Sequence, residues 1–291
     1  MTNRNLLLGG GEKLTAKSPI KRGSGPKKRP YKIDDTRRLI QQSLLDIQSE
    51  IIALPQDAKP RGEGVFELTL HPAFLARSYY PNKLLRATGL RDIGSKETVV
   101  IPKNVTNARD SNKEQATATL YIAGEVDHVR RLLNFLMSDD TEKTVRDELT
   151  EIESVGWIRG IDKIKGKLPA DQKLHSFEVA LHIGEAEEDI FAAFIDFANK
   201  NSAKVDAKRK IQVGGITFVP VEATTLAIQN LSSFSFLRVA RTMPELRLAL
   251  PNVVRQSFPN VNLELPQTPA LFQGKPVAIF DGGLGASDLA M

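Results

Sequence analysis

Between Ser176 and Arg241 the apolar residues change period four times, and this alternation narrows the fold more than any other feature of the chain. Phe177, Val179, Leu181 and Ile183 alternate with Glu178, Ala180 and His182, the two-residue period of a strand over Ser176 to Ile183. Gly184 turns the chain. Glu185, Glu187, Glu188 and Asp189 then place negative charge in the first turn of a helix, where the helix dipole favours it. That helix buries Ile190, Phe191, Phe194, Ile195 and Ala198 and frays near Asn199 to Asn201. A strand over Ile216 to Val221, a short helix over Thr224 to Leu231 and a strand over Phe234 to Arg241 complete the run. Strand–helix–strand–helix–strand predicts a small α/β unit.

The first half uses the same grammar. Asp34 or Asp35 caps a helix running to about Ala53, with Leu39, Ile40, Leu44, Ile47 and Ile51 on one stripe and Pro55 ending it. A strand follows at 64–70, then short helical stretches over Pro72 to Ser78 and Lys83 to Ala87. Thr98 to Ile101 is strand-like, and Ala116 to Ile122 is a strand with two unlike faces. Glu125 to Met137 reads as a helix, and after a polar break at Ser138 to Thr141 a second helix is expected to about Ser154. Arg159 to Lys167 reads as a loop, and Gly214-Gly215 as a hairpin turn. No strict sequence period relates the halves.

The chain has 291 residues and a net charge of +5. Residues 1–33 hold nine Lys or Arg against Glu12, a charge of +8, so the other 258 residues sum to −3. The basic excess therefore belongs to an arm that is expected to be irregular, either a docking arm or a solvated tail. It does not give the body a nucleic-acid-binding face, and nucleic acid is not expected as a partner. The absence of cysteine excludes disulfides, thiolate catalysis and thiolate metal sites. Leu6 to Leu8 is too short for a secretory signal, and no apolar run approaches the length of a membrane span, so a cytoplasmic protein without a membrane partner is expected.

The four histidines, His71, His128, His175 and His182, are expected to be ordinary surface or hydrogen-bonded residues. None pairs with another at four-residue helical spacing, so no metal site is expected. The glycine clusters Gly9 to Gly11 and Gly214-Gly215 lack phosphate-cradling spacing, and no cofactor is expected.

Near the end, Val277-Ala278-Ile279-Phe280 is an apolar run that suits a strand buried on both faces, and it delivers Asp281 into Gly282-Gly283. A phosphatase using such an aspartate would want a second one at position 283, which is Gly. Val277 to Leu284 resembles instead the aspartate motif of the subtilase family of serine peptidases. The upstream Leu-Leu-Leu-Gly-Gly-Gly-Glu-Lys-Leu-Thr start, the strand ending Leu70-His71-Pro72 and Phe236-Leu237-Arg238 look like the N-terminal region of bacterial intracellular subtilases encoded beside an AAA-type ATPase.

The resemblance implies an α+β or α/β chain. Two small strand–helix modules, propeptide-like and ferredoxin-like in grammar, would precede the first strand of a truncated subtilisin-like domain. The implied boundaries are a basic arm at 1–33, an accessory module at 34–167, a propeptide-like module at 174–242, a proline-rich linker at 250–275 and the catalytic strand at 276–291. Asp281 would orient the catalytic histidine. No His-Gly-Thr or Gly-Thr-Ser follows it, so the chain is expected to be inactive alone. The implied partners are a protein or peptide substrate, an AAA-type ATPase and a polypeptide carrying the rest of the protease. The alternative is a protein-binding module that works with an ATPase or a separate protease half and has no catalytic role.

Overall fold

The computed structural model describes residues 28–104, 112–184 and 186–243. Most of the basic arm, and the linker and strand expected ahead of Asp281, lie outside these described residues.

Helix α1 (Ile33–Ala53) forms as its stripe predicts, with Ile40, Leu44, Ile47 and Ile51 fully buried. Burying each such side chain stabilises by roughly 1.5–3 kcal/mol. Leu54 turns extended ahead of Pro55, where proline disfavours helical geometry in the residue before it. The first sheet contains β1 (Gly64–Leu70), β2 (Arg91–Val100), β3 (Gln115–Gly124) and β4 (Ile152–Trp157) in the order β2-β3-β1-β4, every pair antiparallel. Helix α2 (Asn82–Thr88) joins β1 to β2, while α3 (Val126–Met137) and α4 (Lys143–Leu149) join β3 to β4.

The second sheet contains β6 (His175–Leu181), β7 (Lys204–Val205), β9 (Ile216–Ala223) and β10 (Leu237–Thr242) in the order β10-β6-β9-β7, with antiparallel neighbours. Helix α6 (Glu188–Lys200) follows β6, and α7 (Thr225–Leu231), capped by the Thr224 hydroxyl, follows β9. The short β5 (Ile164–Lys165), preceded by α5 (Gly160–Lys163), extends the sheet in parallel with β10. The short β8 (Ile211–Val213) pairs with β9 across Gly214-Gly215, whose φ angles of 57° and 79° suit the two central positions of a tight hairpin turn. The chain is thus mixed α+β with seven α-helices among its described residues.

The two halves share one topology. Each runs strand, helix, strand, strand, helix, strand, and in each the strands lie in the spatial order fourth, first, third, second. The register agrees too. Phe66 faces Ile122 and Trp157, just as Phe177 faces Val221 and Thr242. The register of the fourth strand slips by one residue opposite Thr69/Leu70 in the first half and opposite Ala180/Leu181 in the second. The extra residues are Glu153 and Arg238. Beside each slip the backbone N–H of a histidine donates to the fourth strand's chain: His71 to the Glu151 carbonyl and His182 to the Phe236 carbonyl, both at 2.8 Å. The superposed first strands read Phe66-Glu67-Leu68-Thr69-Leu70-His71 and Phe177-Glu178-Val179-Ala180-Leu181-His182.

Several elements differ from the sequence expectation. The second helix expected to reach Ser154 ends at Leu149, and Ile152–Trp157 is a strand. Its charged residues suit a helix locally, but Ile152, Val155 and Trp157 complete a sheet against Leu70, Leu68 and Phe66. The strand expected at Thr98 starts at Arg91, and part of the expected loop at 159–167 is α5 and β5. The strand pairs within the small unit are antiparallel, so it is α+β rather than a parallel α/β unit.

One core lies between the first sheet and α1 to α4, and includes Phe66, Leu68, Leu120, Ile122, Val129 and Leu132. The other lies between the second sheet and its helices, and includes Phe177, Val179, Phe194, Phe234 and Phe236. Val65, Tyr121 and Ala123 point away from the first core and join the second, which makes them the joint between modules.

Candidate functional site

Asp281, the catalytic candidate, lies outside the described residues. The four histidines are all placed, and they do not come together. His128 packs into the start of α3, where its Nδ1 accepts from the Glu125 backbone N–H at 3.3 Å. His175 pairs with Asp171 at the mouth of β6, and this bond holds the Asp171 carboxyl below its ordinary range. Among the described residues no group of three His, Asp or Glu side chains converges as a metal site would require.

His71 and His182 are both buried, in equivalent seats but with opposite surroundings. At His71 every polar atom is used. Nδ1 accepts from the Ala73 backbone N–H at 3.2 Å, which leaves Nε2 to carry the proton and donate to the Asn104 carbonyl at 2.8 Å. The Glu153 carboxylate lies 4.0 Å from Nε2 and accepts from the Tyr31 hydroxyl at 2.7 Å and the Lys103 N–H at 3.0 Å. Burial and the Glu153 carboxylate push the Tyr31 phenol well above its ordinary range. This is a satisfied structural cluster that ties residues 28–32 and 102–104 to the first sheet.

At His182 neither ring nitrogen has a hydrogen-bond partner among the described residues. The Tyr121 ring lies against it with centroids 4.3 Å apart. Arg238 sits over the other ring, its guanidinium carbon 4.7 Å from the Tyr121 centroid, and Lys96 lies 5.5 Å from the same centroid. Lys163 is buried close by and donates to the Phe234 carbonyl at 2.9 Å. Burial lowers the Lys163 ammonium pKa to about 7. Burial, followed by the positive charges of Arg238, Lys163 and Lys96, lowers the His182 pKa to about 3.

Beyond this seat the second sheet presents a face that its helices do not cover. Ala180, Ile216, Phe218 and Val239 line a shallow depression of about 210 Å³, edged by the Glu178–Arg241 ion pair. Ile211 and Val213 extend the apolar surface and are exposed. The first module supplies a comparison at the same positions of the same fold. By register, Thr69, Thr119 and Ser154 correspond to Ala180, Phe218 and Val239, and Thr117 corresponds to Ile216. There the hydroxyls serve one another: Thr69 and Thr119 share a bond of 2.9 Å, and Thr119 donates to Thr98 at 3.0 Å. One copy's face is polar and internally bonded. The other's is apolar.

A hollow of about 850 Å³ lies between the start of β2 and the β8–β9 turn. Its cations are already neutralised. Arg91 chelates Glu63 at 3.1 and 2.7 Å and reaches Glu187 at 2.9 Å, and Arg61 grips Asp189 at 2.7 and 2.6 Å. These bonds clamp one module to the other and leave no free charge for a ligand.

No protein-family model and no curated protein matches the chain. No described helix is long and apolar enough to cross a membrane.

Sequence reasoning treated His182 as an ordinary histidine and did not single out the apolar face. A signal for both was present: Phe-Glu, an aliphatic residue, a small residue, then Leu-His occurs twice, at 66–71 and 177–182.

Proposed function

We propose that this chain is the N-terminal portion of a cytoplasmic subtilisin-like serine endopeptidase. Asp281 would be its catalytic aspartate, and the histidine and serine would come from other sequence. One observation carries the reading: a four-stranded module of order fourth, first, third, second, with an apolar front face, precedes the Val277 to Gly283 motif. That strand order is ferredoxin-like, the grammar expected of a propeptide-like module. A flat apolar sheet face suits the surface of a folding protease half, which it would cover as α6 and α7 cover its back. Asp281 would accept a hydrogen bond from the histidine and stabilise the imidazolium formed as serine is deprotonated.

The test is reconstitution. The chain is mixed with a polypeptide carrying the histidine and serine segments of an intracellular subtilase, and peptide hydrolysis is followed. Activity that depends on the chain and disappears with Asp281→Asn supports the reading. Undiminished activity with Asp281→Asn overturns it.

The second reading is a non-catalytic module that binds an ATPase or a separate protease half. It is favoured by the front face, which owes nothing to Asp281. Hydrolysis that requires the chain but tolerates Asp281→Asn selects it.

A further inference from the structure

We propose that His182 is a proton-operated latch between the two modules, closed when its ring is neutral and opened when the ring takes a proton.

The argument is a comparison of one seat in two copies. In the first module the histidine at the end of the first strand has a partner on each nitrogen and a carboxylate, Glu153, as its neighbour on the slipped fourth strand. In the second, the histidine has no partner on either nitrogen, and the residue at the slip is Arg238. The first seat sets a carboxylate beside the ring, whereas the second sets cations there.

The groups around His182 come from four elements. Arg238 comes from β10, Lys163 from α5 and Lys96 from β2, with Tyr121 from β3 as the covering ring. The acids nearby are committed elsewhere: Glu67 on β1 to Lys96, and Glu178 on β6 itself to Arg241. A proton on His182 would therefore add a positive charge to a buried ring beside Arg238 and Lys163, with no acceptor for the new N–H among the described residues. Relief is available at the joint, because Tyr121 belongs to one module and His182 to the other.

In the closed joint the ring resists protonation to about pH 3, while a solvated histidine titrates near 6.5. The open form binds the proton and the closed form does not, so acid favours opening. From pH 7 to pH 5 the opening constant rises about twenty-five-fold by linkage. Opening bares Tyr121, Arg238 and the adjoining end of the front face. The inference rests on described residues alone and holds whether or not Asp281 serves a peptidase.

Amide hydrogen exchange on the intact chain at pH 7 and pH 5, corrected for the intrinsic exchange rate, tests it. The expected result is a rise of about twenty-five-fold in opening for segments 120–124, 181–184 and 235–239, with strand centres near Leu68 and Val179 unchanged. His182→Phe, which keeps the ring contact and cannot be protonated, should abolish the rise. Should that variant fail to fold, ring titration of His182 by NMR in the unaltered chain decides: a ring neutral at pH 5 supports the latch. Titration near 6.5, equal protection at both pH values, or loss of protection throughout the chain would each overturn it.

Discussion

Glu153 and Arg238 occupy the same place in two copies of one fold. Each is the extra residue where the fourth strand slips past the end of the first, and each stands beside that strand's closing histidine. Their opposite charges give the two histidines opposite neighbours, an anion beside His71 and a cation beside His182. Arg238→Glu should bring the second seat closer to the first. The His182 pKa should rise from about 3 toward its ordinary value. A depressed histidine costs stability as pH falls from its unfolded value to its folded one, so the loss between pH 6.5 and pH 3 should shrink. Urea midpoints across that range, with NMR titration of the ring, measure both effects.

Lys163 predicts a trend on the alkaline side. Its folded pKa of about 7 lies below the ordinary 10.5, so between these values the unfolded chain holds the proton and the folded chain does not. Stability should therefore rise from pH 7 toward pH 10. Lys163→Met should flatten that rise, while removing one of the two donors to the Phe234 carbonyl, which keeps the Leu237 N–H, at a cost of about 1 kcal/mol. Denaturant melts at pH 7 and pH 9.5 on both proteins provide the check, and a flat profile for the unaltered chain would contradict the account.

Gly64 is required by packing. A Cβ there would lie 2.4 Å from Ile51 Cγ1 and 3.2 Å from the Trp157 ring. Gly64→Ala should destabilise by about 1–3 kcal/mol through overpacking. Ile51→Ala made on top of it should cost less than Ile51→Ala alone, because the added methyl enters the space vacated. A double-mutant cycle of unfolding free energies shows whether the two positions couple.

The apolar face gives a prediction that separates folding from binding. Ile216→Thr with Phe218→Thr installs the type of residue the first module carries at those positions. Both side chains are only half-buried, so the chain should stay folded, losing roughly 1–2 kcal/mol. Reconstitution with the protease half should fail. Retained reconstitution would remove the front face from the proposed docking.

Much of the fold was legible because its causes are local. The stripe of α1, the alternation of β3 and β6, and the two glycines of the β8–β9 turn each declare an element within a few residues. β4 was not legible, because Glu151 to Trp157 mixes acids with apolar residues in a way that suits helix or strand. It becomes a strand only by lying against β1. The candidate site was harder still. The front face is apolar through Ala180, Ile216, Phe218 and Val239, which come from three strands, and their adjacency is a matter of register.

By itself the sequence determined most of the element types, the basic excess of the N-terminal arm, and an apolar run ending in Asp-Gly-Gly at 277–283, because composition and short-range period are properties of neighbouring residues. Only the tertiary structure decided that the halves are one topology used twice, and that His71 is satisfied where His182 is stranded among cations. Hydrogen bonding, burial and electrostatic repulsion depend on distance in space. The chain brings Tyr121, Arg238 and Lys163 to His182 only when both sheets have formed and met.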